Sequence, residues 1–189
     1  MGRAATPAPF FWRKHMEDRR RIERAEELAG RYPASAEAMH FYISIAGHRG
    51  ERPEALLEAA RRNAGHPLGE FLARLMAAPA AHEGACIPLL AVRRAEGASL
   101  LCGVCFRETP AASGVCARCG HSPIRVLEDT EFPHIAIEAC DACHACLKVV
   151  DLTADPAAVP EVDDLASVPL DLRAAALGYR RPLPNLFGL

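Results

Sequence analysis

The sequence of 189 residues predicts an α+β protein with helices in its first half and small β modules in its second half. Apolar residues recur at helical spacing up to about residue 79, whereas short apolar runs, glycines and cysteines alternate from about residue 86 to residue 151. A last apolar stripe predicts one more helix near the end. The predicted domains are residues 1–84 (helical), residues 85–155 (cysteine-rich) and residues 156–189 (connector and C-terminal helix).

Capping and breaking residues delimit the predicted helices of the first half. One helix runs from Met16 to about Gly30, where the glycine ends it. Ser35 is placed to cap a second helix, and Pro53 fits the first turn of a third. A fourth short helix ends at Pro79. Short loops between these helices predict a small antiparallel helical array.

Strand predictions in the second half come from short β-favouring runs next to turn residues. Residues 89–92 and 99–101 flank a turn at Glu96 and Gly97, residues 124–127 and 134–137 form a predicted hairpin, and residues 147–152 form another strand. The final helix begins at about Asp163 or Ser167 and ends at Gly178, because Pro169 is tolerated only in a first turn.

Charged residues around this last helix have a simple interpretation. Asp163 and Asp164 are expected to cap its N-terminus and to interact favourably with its dipole. Asp171 and Arg173 are expected to be exposed, on a solvated face or on a surface that faces a partner.

Cysteines carry the clearest chemical signal. Cys116 and Cys119 are separated by two residues, as are Cys140 and Cys143, and the predicted hairpin lies between the two pairs. Such CxxC knuckles on either side of a hairpin are typical of zinc-ribbon and rubredoxin-like modules, in which four thiolates hold one ion. Gly120 permits a tight turn after the first pair. Four thiolates suit either Zn²⁺ or a single iron, so the ion stays open.

A third knuckle, Cys102 and Cys105, has no evident partner pair. Three outcomes stay open for it: an irregular second metal site, a site shared across a dimer, or a knuckle that holds nothing. A small buried thiol at the start of a strand is the simpler interpretation of Cys146. The residues that could complete a second site are Cys86, Cys146, His82, His121 and His144.

Composition narrows the class of function. The formal net charge is −2, and the run Arg19–Arg21 lies among acidic residues, so we expect no nucleic-acid partner. No stretch approaches the roughly 20 apolar residues of a membrane span, and no secretory signal core is visible at the start. We therefore expect a cytoplasmic protein, in which paired cysteines bind metal rather than form disulfides.

Enzymatic motifs are not apparent in the sequence. It contains no glycine-rich phosphate loop and no nucleophile elbow, and its eight histidines are scattered, so we expect no catalysis. Two further functions stay open, a rubredoxin-type iron electron carrier and a zinc-ribbon module that binds nucleic acid. The second is disfavoured because Asp129, Glu131 and Glu138 place acidic groups in the expected ribbon loops, where phosphate contacts need Lys or Arg.

Three passages share their order and spacing with a known family. They are GHPLGEFL at residues 65–72, EACDAC running into LKVVDL at residues 138–152, and residues 155–187 with DDLAS at 163–167. The chain resembles a short and divergent member of the formate dehydrogenase accessory protein family, the FdhE-type proteins. The family's first knuckle, CPxCG, is reduced here to Cys86 followed by Ile87 and Pro88.

The resemblance implies both an architecture and a role. It implies a helical domain joined to two rubredoxin-like modules, one with Cys116, Cys119, Cys140 and Cys143 as ligands and the other with Cys102 and Cys105. It also implies a non-catalytic cytoplasmic assembly factor. Such a protein binds the catalytic subunit of a formate dehydrogenase, or of a related molybdoenzyme, during maturation.

Overall fold

The computed structural model describes residues 19–46, 86–103 and 107–183. Its secondary structure is α+β, as predicted. In chain order the elements are α1 (Arg19–Arg31), a 3₁₀ turn (Pro33–Ser35), α2 (Ala36–Ala46), β1 (Pro88–Arg94), β2 (Gly97–Cys102), β3 (Glu108–Ala111), β4 (Arg125–Glu128), β5 (Ile135–Ala139), β6 (Cys146–Asp151), α3 (Pro160–Ala166) and α4 (Val168–Ala176). The predicted third and fourth helices lie outside the described residues.

A single six-stranded sheet has the order β3-β2-β1-β6-β5-β4. Two antiparallel meanders, β1 to β3 and β4 to β6, make up this sheet. They meet where β1 pairs in parallel with β6, with Ala91 opposite Val149. The sheet therefore joins the two cysteine-bearing modules edge to edge. The division of the chain at residues 84/85 and 155/156 stays a prediction.

The predicted hairpin of β4 and β5 is confirmed, and so are the two strands predicted around the turn at Glu96 and Gly97, which pair as β1 and β2. The β1–β2 turn includes Glu96, and Gly97 after it has φ +143°, a conformation that favours glycine. Asp129 and Glu131 lie in the β4–β5 loop, as expected. Glu138 does not, because it belongs to β5 and is half-buried. Strand β3 was not predicted, since its sequence ETPA contains Pro110 and is suited only to a sheet edge, which is where it lies.

The core lies between one face of the sheet and the helices. Buried side chains from β1, β5 and β6 on that face pack with buried side chains of all four described helices, which gives two layers around one core. Fully buried members include Leu28, Met39, Leu90, Ile137 and Val162.

The C-terminal segment contains two helices where one was predicted. Ser167 separates α3 from α4 and has φ −96° and ψ 30°, outside the helical range. Pro169 stands in the first turn of α4, where its missing N–H costs nothing, and a continuous helix would have required that donor. The Ser167 hydroxyl donates to the Asp163 carbonyl oxygen at 2.8 Å and so satisfies the end of α3.

The helix α2 begins directly after Ser35, where the sequence placed its start. Ser35 lies in the 3₁₀ turn, and its hydroxyl donates to the Ala166 carbonyl oxygen at 2.5 Å, so it joins the N-terminal helices to α3. The neighbouring Tyr32 ring packs against Phe132 with ring centroids 4.4 Å apart. These contacts hold α1 and α2 against the sheet and the C-terminal helices.

Candidate metal centre

Four cysteine sulfurs meet at one end of the β4–β5 hairpin. The ligand atoms of Cys116, Cys119, Cys140 and Cys143 all lie within 4.8 Å of one another. Sγ of Cys116 is 3.7 Å from Sγ of Cys143, and Sγ of Cys119 is 3.7 Å from Sγ of Cys140. These contacts pair cysteines from opposite knuckles. The four predicted ligands of the ribbon are therefore brought together.

The spacing of the sulfurs fits a tetrahedral cage. An ion bound to four thiolates at about 2.3 Å requires sulfur–sulfur edges of about 3.8 Å. A disulfide requires about 2.05 Å, and all seven cysteines of the described residues are free thiols. The donor set and its dimensions suit Zn²⁺ or iron, and they exclude a disulfide arrangement of these four residues.

The two knuckles share one backbone hydrogen-bond pattern. The N–H of Cys116 donates to the carbonyl oxygen of His121, five residues on, and the N–H of Cys140 donates to that of Ala145 at the same separation. The Cys116 carbonyl oxygen accepts from the N–H of Gly120 at 2.9 Å, and the Cys140 carbonyl oxygen accepts in the same way four residues on. The sulfurs are thus presented by two equivalent turns.

Each knuckle needs a left-handed residue directly after its second cysteine. Gly120 fills this position in the first knuckle with φ 72°, as its place in the sequence predicted. His144 fills it in the second with φ 54°, a conformation that non-glycine residues adopt rarely. The second knuckle therefore carries backbone strain that the first one lacks.

Without an ion, the sulfurs of the second knuckle differ in acidity. Burial opposes ionisation of Cys140, yet hydrogen bonds from the amides of Cys143 and Ala142 and from the Cys119 thiol lower its pKa to about 7. Burial and the neighbouring thiols raise the pKa of Cys143 to about 12. Of these two thiols, Cys140 therefore ionises first, and a cation is needed before Cys143 is a thiolate at neutral pH.

Cys102, at the end of β2, begins a similar turn. Its N–H donates to the carbonyl oxygen of Arg107 at 3.0 Å, the same five-residue separation as in both other knuckles. The N–H of Gly103 donates to the carbonyl oxygen of Ile87, which places the Cys86 segment beside this turn. Cys105 and His82 lie outside the described residues. The second metal site stays a prediction.

The remaining candidate ligands lie apart from a ligand cluster. Among the described residues, Cys86, Cys102, Cys146, His121 and His144 join no group of three or more donors within 4.8 Å of one another. Cys146 is the first residue of β6 and is buried in the core, which agrees with the interpretation of a structural thiol.

A buried charge cluster that the sequence did not predict lies between α1 and α3. Arg24 donates to Asp163 through Nη2 at 2.5 Å and to Asp155 at 2.7 Å, and Nε2 of His134 lies 2.8 Å from Oδ1 of Asp163. Asp163 also accepts the Val159 N–H at 2.8 Å. The carboxylates and His134 could suit a metal, but the guanidinium of Arg24 already supplies the cation there.

A second buried cluster involves Lys148, Asp164, Asp171 and Arg181, whose side chains are at most 3% exposed. Nη1 of Arg181 lies 2.7 Å from Asp164 and 3.1 Å from Asp171. The expectation that Asp171 is exposed is therefore wrong. Asp163 does accept the N–H of Val159 at the start of α3, as a capping group would, and it also pairs with Arg24. Asp164 is instead a partner of Lys148 and Arg181. Arg173 is exposed, as expected, and pairs with Asp129 at 3.1 Å.

A family model for the FdhE C-terminal domain matches residues 115–187. This segment contains both knuckles of the four-cysteine cluster, three residues of the buried cluster around Asp163 and all four residues of the buried cluster around Lys148. The C-terminal part of this chain is therefore similar to the FdhE C-terminal domain. Among the residues that the structure describes, no helix is long and apolar enough to cross a bilayer.

Curated FdhE homologs also match about half of this chain. An FdhE homolog from Aquifex aeolicus is 35% identical over 97 residues, which is 49% of this chain and 34% of that protein. Homologs from Pseudomonas putida and Haemophilus influenzae are 35% and 31% identical over 94 and 90 residues, 46% and 47% of this chain. Each of these two matches covers 30% of the relative, so the chain spans about a third of the length of these curated relatives.

A solved structure shares the fold. The crystal structure of the FdhE protein from Pseudomonas aeruginosa aligns with 98% of this chain and 81% of its own length, with a TM-score of 0.54 and 21% identity. At this identity the likeness shows a common architecture. It is consistent with the α+β arrangement of helices and a six-stranded sheet in the present chain.

Proposed function

We propose that this protein is a non-catalytic, metal-binding accessory protein that binds the catalytic subunit of a formate dehydrogenase, or of a related molybdoenzyme, during its maturation in the cytoplasm. The observation that carries the proposal is the four-cysteine cage within the segment that matches the FdhE C-terminal domain. FdhE-type proteins are accessory to formate dehydrogenases, as the sequence resemblance implies. The metal acts here as a structural staple rather than as a reaction centre.

The position of the cage supports a structural role for the ion. It ties the turn at Cys116 and Cys119 to the turn at Cys140 and Cys143, which flank β4 and β5. Strand β4 is an edge strand with small side-chain burial, and Val126 on it is 51% exposed. A four-residue edge strand of this kind has little stability of its own, so the staple at its base holds the module in one shape.

The accessory role is tested by association with the client. The full-length protein is purified anaerobically together with a formate dehydrogenase catalytic subunit, and the two are expected to elute as one complex. Cys140→Ala is expected to lose the complex together with the metal. Cys146→Ala serves as the matched control, because that thiol is buried outside the cage. Complex formation by Cys140→Ala equal to that of the wild type would contradict a role for the staple in client binding.

The metal itself is tested by elemental analysis of the same variants. The metal content of the wild type is expected to exceed that of Cys140→Ala by one metal atom per chain, whatever the occupancy of the second module. The difference in metal content between the wild type and Cys102→Ala measures the occupancy of the second module separately. Equal metal contents in wild type and Cys140→Ala would refute the assigned cage.

An optical spectrum of the anaerobically purified protein identifies the ion. Tetrathiolate iron absorbs visible light and supports one-electron transfer, so a coloured protein would favour the electron-carrier function. A colourless protein with zinc excludes that function and agrees with the staple.

A further inference from the structure

The chain after α4 passes along the second knuckle of the cage. It turns at Gly178, which has φ +88°, and residues 179–181, here called the C-terminal strap, form a parallel bridge in which Arg180 pairs with Ala145. The N–H of Arg180 donates to the His144 carbonyl oxygen at 2.8 Å, and the N–H of Cys146 donates to the Arg180 carbonyl oxygen at 2.9 Å. The strap backbone therefore binds the end of the turn that presents Cys140 and Cys143.

A side chain of the strap reaches into the knuckle itself. The Tyr179 hydroxyl donates to Oδ1 of Asp141, which lies between the two cysteines of the knuckle, and Tyr179 is 6% exposed. The other carboxylate oxygen of Asp141 accepts from Arg125 at 3.1 Å, in a pair that is more than half exposed on both sides. Of these two partners, Tyr179 is the one held rigidly by its burial.

The other end of the strap is anchored in the core. Arg181 donates to the Leu89 carbonyl oxygen at 2.7 Å and pairs with Asp164 and Asp171. A buried guanidinium that pairs with two carboxylates cannot move away without leaving buried charges unpaired. The strap is thus fixed at Arg181, and its contacts at Tyr179 and Arg180 depend on the shape of the second knuckle.

We propose that the strap and the metal cage are thermodynamically coupled, with Tyr179 as a positioning residue for the second knuckle. This inference rests on the metal site proposed above. An ion in the cage holds the second knuckle in the conformation that the strap binds, and the docked strap in turn strengthens the hold on the ion. Coupling of this kind is reciprocal, so each effect implies the other. Hydrogen bonds just outside a metal's ligand set typically change its affinity by about 10- to 100-fold.

The first measurement is the rate at which the zinc-loaded full chain loses its ion to an excess of chelator. Tyr179→Phe, which removes the hydroxyl and keeps the ring, is expected to release zinc about tenfold faster than the wild type. Tyr32→Phe is the matched control, because its hydroxyl donates to Glu131 far from the cage. Arg125→Ala is the second control, since it removes only the exposed partner of Asp141. Both controls are expected to stay near the wild-type rate.

The second measurement is amide hydrogen exchange with and without zinc. The amides of Arg180 and Cys146 are expected to exchange more slowly in the loaded protein, and Tyr179→Phe is expected to reduce that difference. Zinc release from Tyr179→Phe at the wild-type rate, or equal exchange of these amides in both states, overturns the coupling while the metal site stands. A wild-type protein that takes up no zinc overturns the metal site and the coupling together.

Discussion

Nζ of Lys148 lies 2.6 Å from Oδ2 of Asp171 in the interior, where the two side chains are 1% and 3% exposed. Lys148 stands in the middle of β6, and Asp171 comes from α4, so this ion pair joins the central part of the sheet to the last helix. Lys148 also donates to the Asp164 carbonyl oxygen at 2.8 Å. The C-terminal helices are therefore held against the sheet by buried charged groups, where apolar side chains are usual.

Removal of the ammonium is expected to be costly. Lys148→Ala leaves two buried carboxylates with Arg181 as their remaining cation, and the expected loss in the free energy of unfolding is about 3–5 kcal/mol. Urea denaturation of the metal-loaded protein measures it. Arg173→Ala, which removes the exposed pair with Asp129, is the control and is expected to cost about 1 kcal/mol or less. Equal losses in the two variants would show that the buried cluster contributes no more than a surface pair.

The cluster between α1 and α3 makes a parallel prediction for Arg24. Arg24→Ala removes the cation that Asp163 and Asp155 share, and it is expected to destabilise the protein by about 3–5 kcal/mol. Arg19→Ala lies on the same helix and removes a pair with Glu23 that is 85% and 60% exposed, so its effect is expected to be below about 0.5 kcal/mol. Thermal unfolding of both variants shows whether the buried arginine contributes more to stability than the exposed one.

The edge of the sheet makes a prediction about pH. Arg94 donates to both carboxylate oxygens of Glu108, at 2.6 and 2.8 Å, and thereby lowers the pKa of Glu108 below its usual 4.5, with Ser99 as a further donor. Because the pKa of Glu108 is lower in the folded state, its carboxylate stabilises the fold at pH values above the usual pKa. That stabilisation is lost as the pH falls through the folded-state pKa. The effect is expected to be small, because Glu108 is 38% exposed.

A set of variants at this pair isolates the effect. Melting temperatures of wild type and Glu108→Gln, measured from about pH 3 to pH 7, are expected to differ at neutral pH and to converge in acid. Arg94→Gln and the double variant are expected to follow Glu108→Gln. A constant difference between wild type and Glu108→Gln at every pH would show that the carboxylate charge is not involved.

Thiol chemistry separates the structural cysteine from the cage. Burial raises the pKa of Cys146 to about 11, and the nearby Arg181 only partly opposes this shift. Because the thiolate is the reactive form, iodoacetamide at about pH 8 is expected to modify the exposed Cys119 of the metal-free protein and to leave Cys146 unmodified. Mass spectrometry of peptides gives the extent of modification at each site. Rapid modification of Cys146 in the folded protein would contradict its burial.

Two glycines are expected to respond to alanine in opposite directions. A Cβ added at either Gly120 or Gly30 meets no atom within 4 Å, so both substitutions test the backbone alone. Gly120→Ala must hold φ near 72° and is expected to destabilise the folded protein by about 1–2 kcal/mol. Gly30→Ala lies in α1 and is expected to stabilise it by about 0.5–1 kcal/mol. Calorimetry of both variants, loaded with metal, gives the comparison.

The local parts of this protein were predictable from the sequence. CxxC spacing depends on a turn of a few residues, and a hairpin depends on neighbouring strands, so the four cysteines at 116, 119, 140 and 143 and the strands around them could be predicted without tertiary information. The role of Gly120 in the tight turn after Cys119 could be predicted for the same reason. The equivalent role of His144 was not predicted, because histidine is a much weaker signal for a left-handed conformation than glycine.

Residues that meet across the fold could not be predicted in the same way. Asp164 was interpreted as a capping group and Asp171 as an exposed one, and the burial of Lys148 was not predicted, since a lone charge is expected in water. Only the tertiary structure brings opposite charges to each of these residues. The parallel join of β1 to β6 and the contact of Tyr179 with Asp141 are equally non-local. The sequence by itself determined the cage, because its geometry is built within short turns. The tertiary structure decided which charges are buried and what supports the cage, because those contacts join residues that are far apart along the chain.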